Sequence, residues 1–239
     1  MNKKINKDIF GKALLDYLNN NFTENLTTYS SIAGEDEMEL SWLFRSFHEM
    51  PLIEQTALKS CKGSVLDIGC GAGNHALYLQ NKNLRVKAID ISKGAIETCI
   101  RRGVKEAKTQ SIWELKNQKF DTIIALMNGT GLCGKLENLD NFLIHLKSLL
   151  NKNGQILIDS SDIIYMYKDD SGELINTDNS NYYGEVNFEF KYKNEFSEKF
   201  DWLFIDFDKL KAHANNLELK CEMIEEGYHY DYLAKLTLI

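Results

Sequence analysis

Val65-Leu66-Asp67-Ile68-Gly69-Cys70-Gly71-Ala72-Gly73 runs from a short apolar strand into three closely spaced glycines, and a helix-patterned stretch from His75 to Asn81 follows at once. Glycine tolerates positive φ and lets backbone approach a ligand with no Cβ in the way, so a strand–glycine loop–helix unit is built to hold something against its main chain. The next strand, Arg85 to Asp90, ends on a carboxylate that can accept from both hydroxyls of a ribose. Loop and acid together are far more specific than either alone.

Outward from this unit, strands and helices alternate. Helix Lys93 to Arg102 is stopped by Gly103, and a weak strand covers Lys105 to Gln110. Phe120 to Met127 is β-branched and apolar, as suits a central strand buried on both faces. A periodic helix from Leu136 to Leu150 leads through Asn153-Gly154 to the strand Gln155 to Asp159. Such alternation implies an α/β, doubly wound, mostly parallel sheet covered by helices.

Both flanks differ. Residues 1–60 read as an N-terminal helical cap or lid: Ile9, Leu14, Leu15 and Leu18 at helical spacing, a helix from about Glu37 to Met50, and a third segment opened by Pro51. The polar connection Thr23 to Gly34 is expected to be a mobile loop. After a polar loop from Lys168 to Asn181, the alternating aromatic segments Glu185 to Tyr192 and Phe200 to Phe207 form a small antiparallel insertion at about 182–207. Asp208 is expected to cap a short helix, and Leu219 to Ile224 and Tyr232 to Ile239 form a hairpin at the sheet edge. The main domain is therefore 61–239.

A dinucleotide fingerprint places its third glycine three residues after the second, but counted from Gly69 that position is Asn74. The spacing here is G-x-G-x-G with Asp67 two residues ahead. A carboxylate beside the loop would repel a pyrophosphate yet suits the cationic amino acid end of S-adenosylmethionine (AdoMet). The run Val65 to Leu79 resembles the first motif of the class I AdoMet-dependent methyltransferases, and Asp90 resembles their ribose-binding acid. The resemblance covers roughly Gly63 to Asp159. It implies a seven-stranded sheet whose C-terminal strand is antiparallel. It also implies adenine contacts from Ile91 and from Ser111 and Ile112, where many members carry aspartate instead of the serine. Asp67, Gly69, Cys70, Gly71, Gly73 and Asp90, with Met127, Asn128 and Gly129 at the end of the central strand, make up the expected cofactor set; Arg45 is expected to meet the methionine carboxylate.

Methyl transfer is an in-line displacement in which a protein positions the nucleophile and, where needed, takes its proton. Acceptor groups are sought beyond the carboxyl ends of the strands, where Asp159, Asp162 and Tyr165 are the candidates, with His48 of the cap as a possible base. Tyr182 and Tyr183 could reach over from the insertion or pack on a sheet face. His75 is expected to pack or cap, and Cys133 to be a buried thiol. The single proline, Pro51, excludes the Asn/Asp-Pro-Pro-Tyr/Phe motif of amino methyltransferases and the Pro-Cys nucleophile of DNA cytosine enzymes. No glutamate lies between Asp121 and Leu136 to form an arginine clamp, and Asn128 stands where a metal-dependent site has aspartate, so no metal is expected.

The 239 residues carry 28 basic and 35 acidic side chains, a net charge of −7, which argues against a long nucleic-acid partner. No apolar run approaches the roughly 18 residues of a membrane span, and the stretch Met1 to Asp8 does not lead into a signal-peptide core; a cytoplasmic enzyme is expected. The five scattered cysteines suggest reduced thiols. The expected reaction is methylation of an O, N or S atom of a small molecule, with two alternatives open: an AdoMet-binding protein without turnover, and an RNA or protein methyltransferase.

Overall fold

The computed structural model describes residues 7–169, 171–173 and 181–239. Residues 1–6 and most of the Lys168 to Asn181 loop lie outside that set. In chain order the elements are α1 (Ile9–Leu18), β1 (Leu26–Ser30), β2 (Gly34–Met38), α2 (Leu52–Ser60), β3 (Ser64–Ile68), α3 (Asn74–Asn81), β4 (Arg85–Asp90) and α4 (Lys93–Arg102). They continue as β5 (Ala107–Thr109), β6 (Phe120–Ala125), α5 (Leu139–Ser148), β7 (Leu150–Ser161), β8 (Glu185–Tyr192), β9 (Glu195–Phe196), β10 (Phe200–Leu203), α6 (Phe207–Asn216), β11 (Leu219–Glu226) and β12 (Asp231–Leu238).

The large sheet has seven strands in the order β11-β12-β7-β6-β3-β4-β5. β3, β4, β5, β6 and β7 pair in parallel, and β12 joins β7 antiparallel with Ala234 opposite Ile158. The C-terminal hairpin thus lies at the expected edge, with β12 inside and β11 outermost. On one face α5 and α6 bring Phe142, Leu143, Leu146 and Leu210 onto Ile123, Ile156 and Leu236. On the other, α2, α3 and α4 bring Ile53, Ala57, Leu79 and Ile96 onto Val65, Val86, Ile124 and Leu157. All five residues of β3 are buried, as expected for a strand covered on both faces. The strand order reverses between β3 and β6, so the switch point of the sheet falls at the glycine loop.

The cap differs from its sequence reading. The connection expected to be a loop contains β1, and the expected helix from Glu37 to Met50 is the end of β2 followed by two 3₁₀ turns, Leu40–Phe44 and Phe47–Glu49. β1 pairs with β2 and also with β8 of the insertion, Tyr29 opposite Glu189, building a second antiparallel sheet in the order β10-β8-β1-β2 with β9 on β8. Leu26 and Thr28 face inward on β1; β2 forms a local hairpin with it, but β8, its other partner, lies far along the chain, and its local sequence reads only as a polar stretch. β2, Gly-Glu-Asp-Glu-Met, is an edge strand whose acidic run reads like a helix start; charge on an edge discourages pairing with other chains. α6 is capped by Asp206, which accepts from the Lys209 N–H, instead of Asp208, which lies in the first turn.

Candidate active site

The glycine loop is shaped by its own backbone and by Asp90. Gly69, Gly71 and Gly73 have φ of +71°, +52° and +84°, a region costly for residues with a Cβ. The N–H groups of Gly69 and Cys70 donate to the Ile89 carbonyl at 2.9 and 3.2 Å, and Gly71 N–H donates to Asp90 Oδ2 at 3.0 Å. Ser92 N–H donates to the other Asp90 oxygen at 2.9 Å. A side chain at Gly73 would also strike Cys99 Sγ at 2.9 Å, whereas Cβ atoms at Gly69 and Gly71 would make only ordinary contacts with Leu132 and Phe10. The first two glycines therefore serve backbone shape, and the third serves helix packing as well.

Asp67 lies under this loop, 2% exposed, with Oδ2 buried and without a hydrogen-bond partner. Burial pushes its carboxyl up to about 6, assisted by Asp90 and opposed by His75 and the Ala76 N–H. Beside it a buried chain of charges links the cap to α3. Arg45, 6% exposed, donates through Nη2 to Glu54 Oε1 and through Nη1 to the Trp42 carbonyl, with its guanidinium over the Trp42 ring at 4.3 Å. Arg45 Nε is buried with no partner. The other Glu54 oxygen meets His75 Nε2 at 2.6 Å. Burial favours neutral Glu54, but His75 and Arg45 outweigh it and hold the carboxyl below its ordinary range. Burial likewise favours neutral imidazole at His75; the Glu54 hydrogen bond and the charges of Asp67 and Glu54 win and raise it.

The cap also grips the chain just past β4. Asp8 caps α1 by accepting from Gly11 N–H at 3.0 Å, and its other oxygen accepts from Ser92 Oγ and Gly94 N–H, both at 2.9 Å, two and four residues past Asp90. The α1–α4 contact is glycine on glycine, a Cβ at Gly94 falling 2.5 Å from Gly11 backbone. Ile91 is 53% exposed beside Asp90, while Ile112 is buried. The Ser111 hydroxyl accepts from Trp113 N–H at 3.3 Å, capping a short 3₁₀ turn.

At the end of β6, Met127 and Asn128 both adopt positive φ, +67° and +61°. Asp159 holds this turn: Oδ2 accepts from Met127 N–H at 3.0 Å and Oδ1 from Gly129 N–H at 2.8 Å. Burial pushes Asp159 up to about 6 against these bonds. Asn128 donates to the Leu203 carbonyl of β10 at 3.1 Å and accepts from Ser160 Oγ at 3.0 Å, and the Trp202 ring lies on Gly131. The insertion is thus locked to the carboxyl ends of β6 and β7. Asp162 accepts from the Tyr183 hydroxyl at 2.8 Å and from Ile164 N–H at 3.0 Å; Tyr182 donates to Asp206 at 2.7 Å. Tyr165 is 43% exposed and stacks on Tyr230. His48 lies exposed in a 3₁₀ turn, edge-on to Phe47. The Cys133 thiol is buried, pushed up to about 12, and donates to the Thr130 carbonyl.

A family model described as a methyltransferase domain matches residues 59–207. A SAM-dependent methyltransferase from Bacteroides fragilis, solved in complex with S-adenosyl-L-homocysteine, is 44% identical, with a TM-score of 0.90 over 97% of this chain and 95% of that one. The chain is a class I AdoMet-dependent methyltransferase. The CcbJ methyltransferase from Streptomyces caelestis, 11% identical with a TM-score of 0.62 over 82% of this chain and 99% of that one, shares the fold. A curated relative, the ubiquinone biosynthesis O-methyltransferase of Rickettsia conorii, is 32% identical over 123 residues, 48% of this chain. The chain spans about two-fifths of the length of the curated relatives it matches. AdoMet is this methyltransferase's cofactor, and no helix among the described residues is long and apolar enough to cross a membrane.

The sequence placed Asp67, the glycines, Asp90, Arg45 and the Met127–Gly129 turn at one end of the sheet, and the structure brings the cap residue Arg45 to the buried charges beside that loop. Glu54, His75 and Asp8 were missed as part of the arrangement. Asp8 carried a signal, an N-cap residue directly before the apolar α1; Glu54 is one of many charged residues in a helix first turn and carried none.

Proposed function

We propose that this methyltransferase moves the AdoMet methyl to an oxygen, nitrogen or sulfur atom of a small molecule, and that the orphan pair Arg45 Nε and Asp67 Oδ2 grips the zwitterionic end of the cofactor. The pair carries the reading: a buried donor and a buried acceptor without partners are each costly, and an α-carboxylate and an α-ammonium satisfy one apiece. Asp90 would take the ribose hydroxyls, exchanging its bond to Gly71, with Ile91, Ser111 and Ile112 around the adenine and Gly69, Cys70 and Gly71 along the backbone. When bound, AdoMet supplies a methyl group on a cationic sulfur that is a good leaving group.

The chain's own residues then orient the acceptor and exclude water. Asp159 has both oxygens engaged by the Met127–Gly129 turn, so its part is to hold that turn. In this reading Asp162, with the Tyr183 hydroxyl on it, would take an acceptor proton, with the exposed Tyr165 and His48 on the approach. Residues 1–60 and the insertion, joined through β1 and β8, act together as the lid over the domain that begins at residue 61. The cytoplasm is the proposed compartment. An oxygen acceptor is the first to try, because the curated relatives are named as O-methyltransferases.

The test is calorimetry with S-adenosylhomocysteine followed by turnover against a panel of small phenols, amines and thiols. Asp90→Ala is expected to weaken binding about a hundredfold, the scale of losing charge-assisted bonds to two hydroxyls. Unchanged affinity in that variant, or product formed only on RNA or protein, would overturn the reading.

A further inference from the structure

Glu54 lies on α2, five residues before the family-matched region begins, yet both of its oxygens point into the cofactor side of the fold. It is 4% exposed. One oxygen holds Arg45 and the other holds His75, so a single carboxylate joins a 3₁₀ turn of the cap to the first turn of α3, directly after the glycine loop.

We infer that Glu54 is the positioning residue of the methionine-end clamp: without touching AdoMet, it sets Arg45 Nε and Asp67 Oδ2 in the state that receives the amino acid group. The inference rests on the clamp reading above. Its physical content is the direction in which each partner is held. The Arg45 guanidinium is planar, and three neighbours fix its plane: the Trp42 ring on its face, the Trp42 carbonyl at Nη1 and Glu54 at Nη2. With those satisfied, Nε remains as the buried donor without a partner. On the other side the imidazole of His75 is turned toward Glu54 through Nε2, which leaves Asp67 Oδ2 unclaimed.

The groups facing this cluster are Arg45 and His75 as cations and Glu54, Asp67, Asp90 and Asp159 as carboxylates, the last three all raised by burial. Remove the Glu54 charge and the two cations lose their nearest anion. Asp67 is then the next carboxylate for His75, which would claim the free acceptor, and Arg45 keeps only Trp42 to fix its plane and so to aim Nε. Glu54 therefore keeps the cations occupied so that the donor and acceptor stay available. A merely structural glutamate would instead secure the cap as a whole, and its loss would weaken every part of the cofactor site alike.

Two ligands separate these roles. S-adenosylhomocysteine has the amino acid end, whereas 5′-methylthioadenosine shares the adenosine and thioether but lacks it. In calorimetry, Glu54→Gln is expected to weaken S-adenosylhomocysteine about tenfold to a hundredfold, the range for one charged hydrogen-bonding partner, with methylthioadenosine changed less than about threefold. His75→Gln keeps the Arg45–Glu54 bond and is expected to give a smaller loss with the same selectivity; it carries the test if Glu54→Gln does not fold. Equal losses for both ligands, or no loss for either, would overturn the role of Glu54. Failure of the underlying clamp has a separate signature: Arg45→Ala and Asp67→Asn would leave the ratio of the two affinities at the wild-type value.

Discussion

Replacing Asp67 with Asn removes a carboxylate whose ordinary value is 3.8 and which burial lifts to about 6. At about 1.36 kcal/mol per pH unit, that rise corresponds to ~3 kcal/mol of cost for ionising Asp67 in the folded protein. The sign follows from linkage: a carboxyl raised on folding supports the native state fully below its unfolded value, and that support is lost as pH rises through about 6. Across pH 4 to 7 the stability of wild type relative to Asp67→Asn should therefore fall by as much as ~3 kcal/mol, read from urea unfolding at each pH. Binding runs the opposite way. An ammonium seated on Asp67 needs the ionised form, so S-adenosylhomocysteine affinity should be flat above pH 7 and about tenfold weaker at pH 5. Complex formation near pH 6 should release part of a proton, seen as a dependence of calorimetric heat on buffer ionisation enthalpy. His75, Glu54, Arg45 and Asp90 all face or neighbour this group, so the control is the variant itself: in Asp67→Asn the pH dependence should vanish. An affinity that is level from pH 5 to 7.5 in wild type, with no proton released, would refute the placing of the ammonium on Asp67.

Asp159→Ala removes both acceptors from the Met127–Gly129 turn and is expected to cost about 2–4 kcal/mol, measured by urea unfolding, with lower turnover because two residues at positive φ lose their restraint. Gly131→Ala would press a methyl into the Trp202 ring, which lies 2.0 Å from the added Cβ; β10 should shift, giving a red-shifted tryptophan emission and greater protease sensitivity near residue 200. Gly73→Ala combines a φ of +84° with a 2.9 Å contact to Cys99 Sγ and should abolish detectable S-adenosylhomocysteine binding while the protein remains folded by circular dichroism. Turnover, once an acceptor is found, should be insensitive to EDTA, since Asn128, bonded to the Leu203 carbonyl and Ser160, stands where a metal-dependent site carries aspartate.

The stretch from Gly63 to Asp159 was legible because its signals are local. Strands buried on both faces must be apolar along their whole length, and the glycines at 69, 71 and 73 report a backbone shape that other residues cannot hold cheaply. Asp90 could be placed at the end of its strand from the same unit. The cap was harder for a physical reason. β1 lies between β2, its hairpin partner, and β8, more than 150 residues away, and a polar five-residue strand has no periodicity to distinguish it from a loop. The acidic residues of β2 likewise make sense only once it is known to be an edge.

Sequence alone determined the mostly parallel sheet and the strand–glycine loop–helix unit, because each follows from what neighbouring residues can do with their own backbone. Tertiary structure decided how the charges are shared. Arg45, Glu54, Asp67 and His75 come from four separate elements, and the protonation of Glu54, Asp67 and His75 depends on burial and on the charges around them. Whether a carboxylate is a solvated surface group, a turn clamp like Asp159 or a waiting acceptor like Asp67 is set by the atoms within hydrogen-bond reach, and those are brought together only when the chain folds.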